Sequence, residues 1–324
     1  MNHSWKIAFF GSDKIALPCL QSIIDANQGW NICAVLTQPD RRTGRGRKFQ
    51  PNPIKSWALE HELPIHDPEK PGLDDSNWIK EIGADLILVM AYGHILSSDL
   101  LMSAPRGCFN LHASLLPLYR GASPIETSLA MGDKITGVTL MEVSKRMDAG
   151  PIIDKEEVEI SKSDTGVSLR NKISKACVPL ISRTLPTLLD GDFQKVEQDD
   201  ELATYCRKLS KEDGRMNFLL PAAEIESRTR AFAGWPGSYF EYEETILKVG
   251  KLRVVSPPAL LSPGERHAEF GNSLVIATPD GAVEIMEVQK PGGKMLPVSD
   301  FLRGFPLPPK ITFSSPAKET SLLR

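Results

Sequence analysis

The sequence has few of the features that assign a protein quickly to a class. It contains no Cys-x-x-Cys pair, and its five cysteines lie far apart, at positions 19, 33, 108, 177 and 206. An odd number of scattered cysteines, three of them inside apolar runs, is typical of reduced, buried thiols. The missing Cys-x-x-Cys pair disfavours a zinc site or a thiol-redox site.

An excess of one charge and a long apolar run are also missing. The formal net charge is −3 over 324 residues, so composition alone does not indicate a nucleic-acid-binding protein. No run of about 18 apolar residues is available to span a membrane, and the first residues lead into a strand-like segment rather than a signal peptide. We therefore expect a soluble, cytoplasmic protein that has no membrane partner.

The first half of the chain alternates between strand-like and helix-like segments. The length of the whole chain, 324 residues, favours two domains. Apolar strand-like runs at 6–10, 31–38, 84–92 and 136–144 are separated by helical patterns, the clearest at 14–24, 54–61, 75–83 and 165–191. This alternation predicts an α/β fold with an open, mostly parallel sheet flanked by helices. Such sheets bind ligands beyond the carboxyl ends of their strands, here at 11–12, 37–38, 91–93 and 110–112.

The pattern changes in the second half of the chain. Short strand-like pieces follow one another there, and a Pro-Asp-Gly turn at 279–281 predicts a hairpin. We predict a small β-barrel, for which an OB-like barrel is one candidate. The predicted boundaries are a first domain at 1–191, a linker at 192–208, a barrel domain at 209–312 and a frayed tail at 313–324.

Asn110 and His112 stand two residues apart in an apolar run that ends in a proline-containing loop. Residues i and i+2 of a strand face the same side, so the two polar side chains are predicted to point together. A structural explanation is that both are buried polar groups with partners inside the protein, which is the commoner case. Asp148, which precedes an Ala-Gly turn after the next strand, adds a carboxylate at the same sheet edge and favours a functional explanation.

These three side chains predict a reaction in which the substrate supplies the nucleophile, because no Ser or Cys nucleophile accompanies them. The amide N–H of Asn110 and a donor His112 would stabilise an oxyanion. Asp148 would orient His112 or take a proton, directly or through water. We therefore predict that Asn110, His112 and Asp148 form a catalytic site.

A second unusual stretch covers residues 37–51. Five of the eight residues from 41 to 48 are basic. The plain interpretation is a solvated, mobile loop. The functional interpretation is a phosphate-binding finger beside the site, because guanidinium groups bind phosphate through two parallel hydrogen bonds. The basic residues are Arg41, Arg42, Arg45, Arg47 and Lys48.

A dinucleotide-binding fingerprint is absent from both glycine-containing loops. The stretch GRGRKF at 44–49 lacks the third glycine and the helix that should follow it, and GSDK at 11–14 has no Gly-x-Gly. A nicotinamide-dependent dehydrogenase is therefore disfavoured, although an α/β sheet alone would suggest one.

The segment FNLHASLLPLYRGASPI (109–125) resembles the Asn-x-His-x-Ser-Leu-Leu-Pro-x-x-Arg-Gly signature of the methionyl-tRNA formyltransferases, a family of folate-dependent formyltransferases. MDAGPI (147–152) is similar to the family's aspartate motif, and LTQPDRRTGRGRK (36–48) to its basic loop. YCRKLSKEDGRMNF (205–218) and RAFAGWPGSYFEY (230–242) resemble its linker and carboxyl-terminal domain. The resemblance covers nearly the whole chain.

The resemblance implies a Rossmann-like formyltransferase fold and transfer of a formyl group from 10-formyltetrahydrofolate to the α-amine of methionyl initiator tRNA. It implies catalytic roles for Asn110, His112 and Asp148, and tRNA binding by the basic loop around Arg45. It also implies a monomer that needs no metal. The residues that would line the folate site are Ser114, Leu115, Leu116 and Pro117.

Three alternatives stay open. A formyltetrahydrofolate hydrolase or a sugar-amine formyltransferase would share the three catalytic residues, although neither substrate explains five basic residues in one loop. A non-catalytic RNA-binding module is the alternative of another class. One feature departs from a tRNA enzyme: residues 209–312 hold 12 Lys+Arg and 13 Asp+Glu, a net of −1, whereas broad electrostatic docking would need a basic surface. Any contact there would need a local patch, with Arg228, Arg230, Lys248, Lys251 and Arg253 as candidates.

Overall fold

A computed structural model describes residues 4–26, 28–43, 48–256, 261–267, 273–317 and 321–323. The chain forms two compact units. The first comprises Met1–Gly121, Ile135–Glu159 and Arg170–Thr204, and the second comprises Ala122–Lys134, Ile160–Leu169 and Tyr205–Arg324. Residues 122–134 and 160–169, which the sequence places in the first domain, thus group with the second unit.

The elements are numbered along the chain, and ten strands and four helices of the described residues come first in the first unit. They are β1 (Trp5–Gly11), α1 (Leu17–Ala26), β2 (Trp30–Leu36), β3 (Arg41–Thr43), β4 (Lys48–Gln50), α2 (Pro53–Glu60), β5 (Ile65–His66), α3 (Leu73–Ile82), β6 (Leu86–Met90), α4 (Ser98–Leu101), β7 (Cys108–His112), β8 (Arg120–Gly121), β9 (Ile135–Glu142) and β10 (Ile152–Glu159). Helix α6 (Gly166–Asp190) follows, and its first four residues fall in the second unit.

The first unit is built on a seven-stranded sheet of order β10-β9-β7-β6-β1-β2-β5. The five strands from β7 to β5 are parallel, whereas β9 runs antiparallel to both β7 and β10. All five residues of β6 are buried, as expected of a strand covered on both faces. The predicted open, mostly parallel sheet flanked by helices is confirmed.

Local sequence explains how the first helix begins. The Asp13 carboxylate accepts a hydrogen bond of 2.9 Å from the Ile15 N–H and caps a short 3₁₀ turn, Lys14–Ala16. Helix α1 starts at Leu17, so Pro18 lies in its first turn, where no backbone donor is required. Helix α3 ends at Gly83, which adopts a left-handed conformation with φ 69° that favours glycine.

The cysteines of the apolar runs are reduced and poorly accessible. Cys19 and Cys108 are buried and Cys33 is half-buried. Burial raises the pKa of the Cys33 thiol to about 11, so this side chain behaves as an apolar group at neutral pH. Among the described helices, none has the length and apolar character needed to cross a bilayer.

The second unit is built on an antiparallel sheet. Its elements are α5 (Pro124–Ala130), β11 (Tyr205–Cys206), α7 (Ala222–Ala231), β12 (Ser238–Tyr242), β13 (Thr245–Val255), β14 (Leu274–Thr278), β15 (Gly281–Gln289), β16 (Leu296–Pro297) and α8 (Val298–Gly304). The sheet order is β12-β13-β15-β14, and β16 also pairs with β15. Thr278 pairs with Gly281 in the predicted hairpin.

The carboxyl-terminal segment corrects one expectation. Phe313 is 3% exposed and belongs to the core of the second unit, where its ring centroid lies 4.9 Å from that of Phe240. Leu322 is 3% exposed, and its carbonyl accepts a hydrogen bond of 3.2 Å from the Arg207 N–H. The expected fraying of 313–324 is therefore wrong for the described residues, because isolated apolar side chains anchor an otherwise polar tail. The other domain boundaries stay predictions.

Candidate functional site

The carboxyl end of β7 carries the two polar residues that the sequence singled out. Asn110 is half-buried and His112 is 6% exposed, whereas the alternating Phe109 and Leu111 are buried apolar residues. Asn110 pairs with Met141 and His112 with Thr139 on the antiparallel strand β9. Strand alternation therefore places both polar side chains on one face of the sheet, at the edge where α/β folds bind ligands.

The hydrogen bond of His112 fixes which ring nitrogen is available. Nε2 lies 2.9 Å from the backbone carbonyl oxygen of Tyr119. A carbonyl only accepts, so we assign the proton of the neutral ring to Nε2. Nδ1 is then a free lone pair, and it lies 3.7 Å from Oδ2 of Asp148. The structure thus brings His112 and Asp148 together and leaves Nδ1 as a base beside a carboxylate.

The backbone around this pair adopts unusual conformations. Asp148 has φ 51° and Tyr119 has φ 59°, and both are non-glycine residues in the left-handed region. Such conformations cost about 1–3 kcal/mol each and persist where surrounding contacts impose them. For Asp148 one such contact is the Gly121 N–H, which donates a 2.9 Å hydrogen bond to Oδ2. The carboxylate is therefore held by a backbone N–H.

Asn110 differs from its neighbours in the hydrogen bonding of its side chain. Among the described residues, its amide makes no hydrogen bond. A half-buried amide without a protein partner is available to a ligand, since leaving it unpaired costs about 1–3 kcal/mol when water is excluded. The structural explanation, a buried polar group with a partner, does not apply to Asn110.

The predicted folate-lining segment divides into two pairs. Ser114 and Leu116 are fully buried, and the Ser114 hydroxyl donates a 2.6 Å hydrogen bond to the Leu118 carbonyl. Leu115 and Pro117 are partly exposed. Within this segment, Leu115 and Pro117 are therefore the side chains that are accessible from outside the fold.

The basic stretch forms a hairpin of β3 and β4, which the sequence did not predict. Arg41 is bound by Glu69 at 2.8 Å, in an exposed pair of small energetic value. The Arg42 guanidinium lies over the ring of Phe49, 4.9 Å from its centroid. Phe49 is 64% exposed, and Lys48 is also exposed. Arg45 and Arg47 lie outside the described residues.

The basic patch predicted in the second unit is largely neutralised. Arg228 pairs with Glu224 at 3.0 Å, Arg230 with Glu226 at 2.7 Å and Arg253 with Glu284 at 2.6 Å. Lys248 and Lys251 remain exposed on β13. In three of the five members of the predicted patch, an arginine is therefore paired with a nearby glutamate, and contact of the patch with tRNA stays a prediction.

The sequence did not predict the residues that form hydrogen bonds to His112 and Asp148. Tyr119 contributes a carbonyl and Gly121 an N–H, and such backbone groups carry no sequence signal. Gln198 contacts the Asp148 loop from a segment that the sequence classed as a linker. In the sequence Gln198 is one polar residue among several in this segment, so nothing there distinguishes it.

Comparison with known proteins adds an independent line of evidence. A family model described as formyl transferase matches residues 5–185, and one described as formyl transferase, C-terminal domain, matches residues 208–306. A methionyl-tRNA formyltransferase of Legionella pneumophila (strain Paris) is 36% identical over 300 residues, covering 91% of this chain and 94% of the relative. The chain belongs to the methionyl-tRNA formyltransferase family. A second relative of the same name, from Methylococcus capsulatus, is 37% identical over 303 residues, 93% of this chain and 97% of its own.

Solved structures support the fold of this methionyl-tRNA formyltransferase family member. An N-formyltransferase from Helicobacter canadensis, in complex with folinic acid and dTDP-3-aminofucose, aligns with a TM-score of 0.65 and 19% identity over 88% of this chain and 99% of its own. HypX from Aquifex aeolicus in complex with tetrahydrofolic acid aligns with a TM-score of 0.58 and 17% identity, and the chain spans 47% of its length. Membership of the family makes the chain an enzyme of formyl transfer, so the alternative of a non-catalytic RNA-binding module is wrong.

Proposed function

We propose that the protein transfers the formyl group of 10-formyltetrahydrofolate to the α-amino group of methionyl initiator tRNA. The observation that carries the proposal is the arrangement at the end of β7. The Nδ1 lone pair of His112 lies 3.7 Å from the Asp148 carboxylate, and the Asn110 amide next to it has no described partner. A base, a carboxylate and a free amide donor match a reaction in which an amine attacks a carbonyl carbon.

The proposed chemistry uses each group once. The amine nitrogen of the aminoacyl group attacks the formyl carbon, and negative charge develops on the formyl oxygen. The Asn110 N–H donates to that oxygen, an interaction worth about 2.7–4 kcal/mol in comparable sites. His112 Nδ1 takes the proton from the attacking nitrogen, and the nearby Asp148 carboxylate stabilises the imidazolium.

The second half of the reaction returns the proton. The bond between the formyl carbon and N10 of the folate breaks, and N10 receives the proton from Nδ1 of His112. One N–C bond forms, one breaks, and the proton moves from the amine to the leaving nitrogen by way of His112. The Nε2–H bond to Tyr119 keeps the ring in place through both transfers, and for this reason we favour the base role over that of an oxyanion donor.

The two substrates would contact different parts of the first unit. We assign the folate to the surface bordered by Leu115 and Pro117, with Ser114 and Leu116 shaping the segment from below. We assign phosphates of the tRNA to the hairpin of β3 and β4, where Arg42, Lys48 and the exposed Phe49 combine charge with a ring that stacks on a base. Arg45 and Arg47 extend the same run of basic residues. We further propose a monomer acting in the cytoplasm.

A competition among acceptors tests this function. Purified protein is incubated with formyl-labelled 10-formyltetrahydrofolate and, in separate reactions, methionyl initiator tRNA, a nucleotide-linked amino sugar or water alone. We expect transfer to the tRNA to exceed transfer to the other acceptors by orders of magnitude. Faster release of formate without an acceptor would favour the hydrolase, and faster labelling of the amino sugar would favour the sugar enzyme.

A further inference from the structure

The side chain of Gln198 connects the Asp148 loop to a buried arginine. Its Nε2 donates to the carbonyl oxygens of Asp148 at 2.9 Å and of Gly150 at 2.8 Å. Its Oε1 accepts from Nε of Arg120 at 3.0 Å and from a terminal guanidinium nitrogen at 2.8 Å. Because a guanidinium only donates and a carbonyl only accepts, these four contacts fix the orientation of the amide. The donors and acceptors of the Gln198 amide are therefore all used in binding Arg120 and the backbone of the Asp148 loop.

The arginine end of this connection is firmly placed. Arg120 is fully buried, and its remaining terminal nitrogen donates to the Asp200 carboxylate at 2.8 Å. The other oxygen of Asp200 accepts from Arg146 at 2.8 Å. Hydrogen bonds from Arg146 and Arg120 hold the pKa of Asp200 below its usual range. Asp200 is therefore ionised at neutral pH and keeps the buried guanidinium paired.

The loop that Gln198 contacts has little freedom of its own. Asp148 has φ 51°. A Cβ at Gly150 would come within 1.9 Å of the Glu142 carbonyl oxygen, so the loop lies directly against the end of β9. Gly121, which directly follows Arg120, donates its N–H to the Asp148 carboxylate. The chain at 120–121 thus restrains Asp148 twice, through the carboxylate and, by way of Gln198, through the backbone.

We propose that Gln198 is a positioning residue that holds the Asp148 carboxylate beside Nδ1 of His112. The Asp148 carboxylate lies 3.7 Å from Nδ1 of that ring, and Gln198 joins the backbone of the Asp148 loop to Arg120. The proposal deepens the proposed function, on which it rests, since it assigns to a residue of the predicted linker the task of keeping the catalytic carboxylate in place.

A glutamate is the informative replacement because it keeps the shape and loses the donor. In Gln198→Glu the carboxylate still accepts from Arg120, but it faces the Asp148 and Gly150 carbonyl oxygens without a proton to donate. The loop is expected to move away and take the Asp148 carboxylate with it. Gln198→Leu removes both interactions and serves as the second variant. Gln194→Glu makes the same chemical change at an exposed glutamine of the same segment and is the matched control.

The first measurement is a crystal structure of the free protein for wild type and for each variant. The distance to compare joins Oδ2 of Asp148 and Nδ1 of His112, which is 3.7 Å in the wild type. We expect Gln198→Glu and Gln198→Leu to lengthen this distance beyond coordinate error, because the Asp148 and Gly150 carbonyl oxygens lose their donor. Gln194→Glu should leave the distance unchanged. An unchanged distance in both folded Gln198 variants would overturn the proposal.

The second measurement is a double-mutant cycle on turnover. Gln198→Leu alone is expected to lower kcat about tenfold and to change both KM values less than twofold, since the defect lies in proton transfer. In an Asp148→Asn background the same replacement should cost less than twofold, because the group it positions is already gone. Additive losses, or a defect confined to KM, would show that Gln198 acts elsewhere.

The two proposals fail in different ways. The structures of the free variants need no substrate, so they test the positioning role whether or not the enzyme formylates tRNA. If the protein formylates another acceptor and the distance lengthens in the Gln198 variants, the proposed function is refuted and the positioning role is kept. If the protein formylates methionyl initiator tRNA and the distance is unchanged, the proposed function is kept and the positioning role is refuted.

Discussion

The candidate substrate-binding residues of the first unit and the arginines of the second unit differ in whether the fold supplies a partner. In the second unit Arg228, Arg230 and Arg253 each pair with a glutamate. In the first unit the Asn110 amide has no described partner, and among the described residues no carboxylate pairs with Arg42. Groups whose bonding is completed inside the fold contribute to its stability. Side chains whose hydrogen bonds or ion pairs are not made within the fold are available to bind substrates.

From this difference we expect two classes of variant, which differ in their effects on activity and on stability. Removing an unpartnered group of the first unit should lower activity and leave the free energy of unfolding nearly unchanged. Removing a partnered group of the second unit should do the opposite. Stability and activity therefore have to be measured together on every variant, because either alone would not separate the two classes.

The largest effect is expected for His112→Ala. Loss of the base should lower kcat about 100- to 10,000-fold, the range for positioned proton transfer. The ring is 6% exposed, and its removal leaves the Tyr119 carbonyl without this donor, so the free energy of unfolding should fall by about 1–3 kcal/mol. Formyl transfer and thermal unfolding measured on one preparation check both numbers. A loss of stability with kcat near the wild-type value would show a structural histidine instead.

Asp148→Asn is expected to lower turnover about 100-fold at every pH. The amide oxygen still accepts the hydrogen bond from the Gly121 N–H, so the loop keeps that contact. The negative charge that stabilises a protonated His112 is lost. Turnover across the pH range, with a thermal melt as the control for folding, measures the effect. Near-normal turnover in the folded variant would remove Asp148 from the mechanism.

A stability effect without an activity effect is expected in the second unit. Asp213 has a side chain 2% exposed and accepts from the Arg207 guanidinium and from the Ser210 N–H. Burial alone would raise the pKa of Asp213, but the Arg207 and Ser210 hydrogen bonds hold it below the usual value. Asp213→Asn should cost about 1.5–3 kcal/mol of unfolding free energy at neutral pH and leave kcat unchanged at low temperature.

The pH dependence of this pair has a definite sign. A carboxylate whose pKa is lower in the folded chain stabilises the fold above its unfolded pKa, about 3.9, and loses that contribution as pH falls through the folded value. Denaturant unfolding between pH 6 and pH 2.5 should therefore converge for wild type and Asp213→Asn at the acidic end. Asp300→Asn, which breaks an exposed pair with Arg303, is the control and should change little. A constant difference at all pH values would contradict the assignment.

Apolar periodicity was enough to predict the interior of the first unit. Strand β6 lies inside the predicted run 84–92, because burial on both faces makes every residue apolar. Strand β10 was not predicted. It lies at the sheet edge, and its residues, IIDKEEVE, are mostly partly or fully exposed, so no apolar run marks it. Apolar patterns in the sequence report burial, so they miss edge strands that bury few side chains.

Prediction of the site has a similar limit, because polar and backbone contacts leave no pattern in the sequence. The type and spacing of Asn110 and His112 carry a chemical signal, and Asp148 adds a carboxylate before an Ala-Gly turn after the next strand. The segment at 192–208 looked like a linker because its contacts are polar: Gln198 contacts backbone carbonyls and Arg120, none of which leaves an apolar pattern. Likewise, the pairing of Arg253 with Glu284 joins residues on two strands, and sequence order does not show it.

The smallest effect, and the sharpest test of the contrast between units, compares one arginine from each. Arg42 lies over Phe49 without a carboxylate partner among the described residues, whereas Arg253 is bound by Glu284 at 2.6 Å. An arginine that neutralises a phosphate releases condensed counterions, so its loss weakens binding and flattens the salt dependence. Arg42→Ala should raise the KM for tRNA several-fold and lower the salt slope by about one, with the KM for the folate unchanged. Arg45→Ala is expected to act in the same direction.

Arg253→Ala should leave both KM values and the salt slope at the wild-type level, because that guanidinium is already neutralised by its own unit. The measurement is a pair of tRNA titrations at two salt concentrations for wild type and each variant, with the folate titrated in parallel. If Arg253→Ala flattened the salt dependence as much as Arg42→Ala, pairing within the fold would not determine which charges meet the tRNA. If Arg42→Ala and Arg45→Ala raised the KM for the folate and left that for tRNA alone, the hairpin would serve the small substrate, and an enzyme acting on a smaller acceptor would be the better assignment.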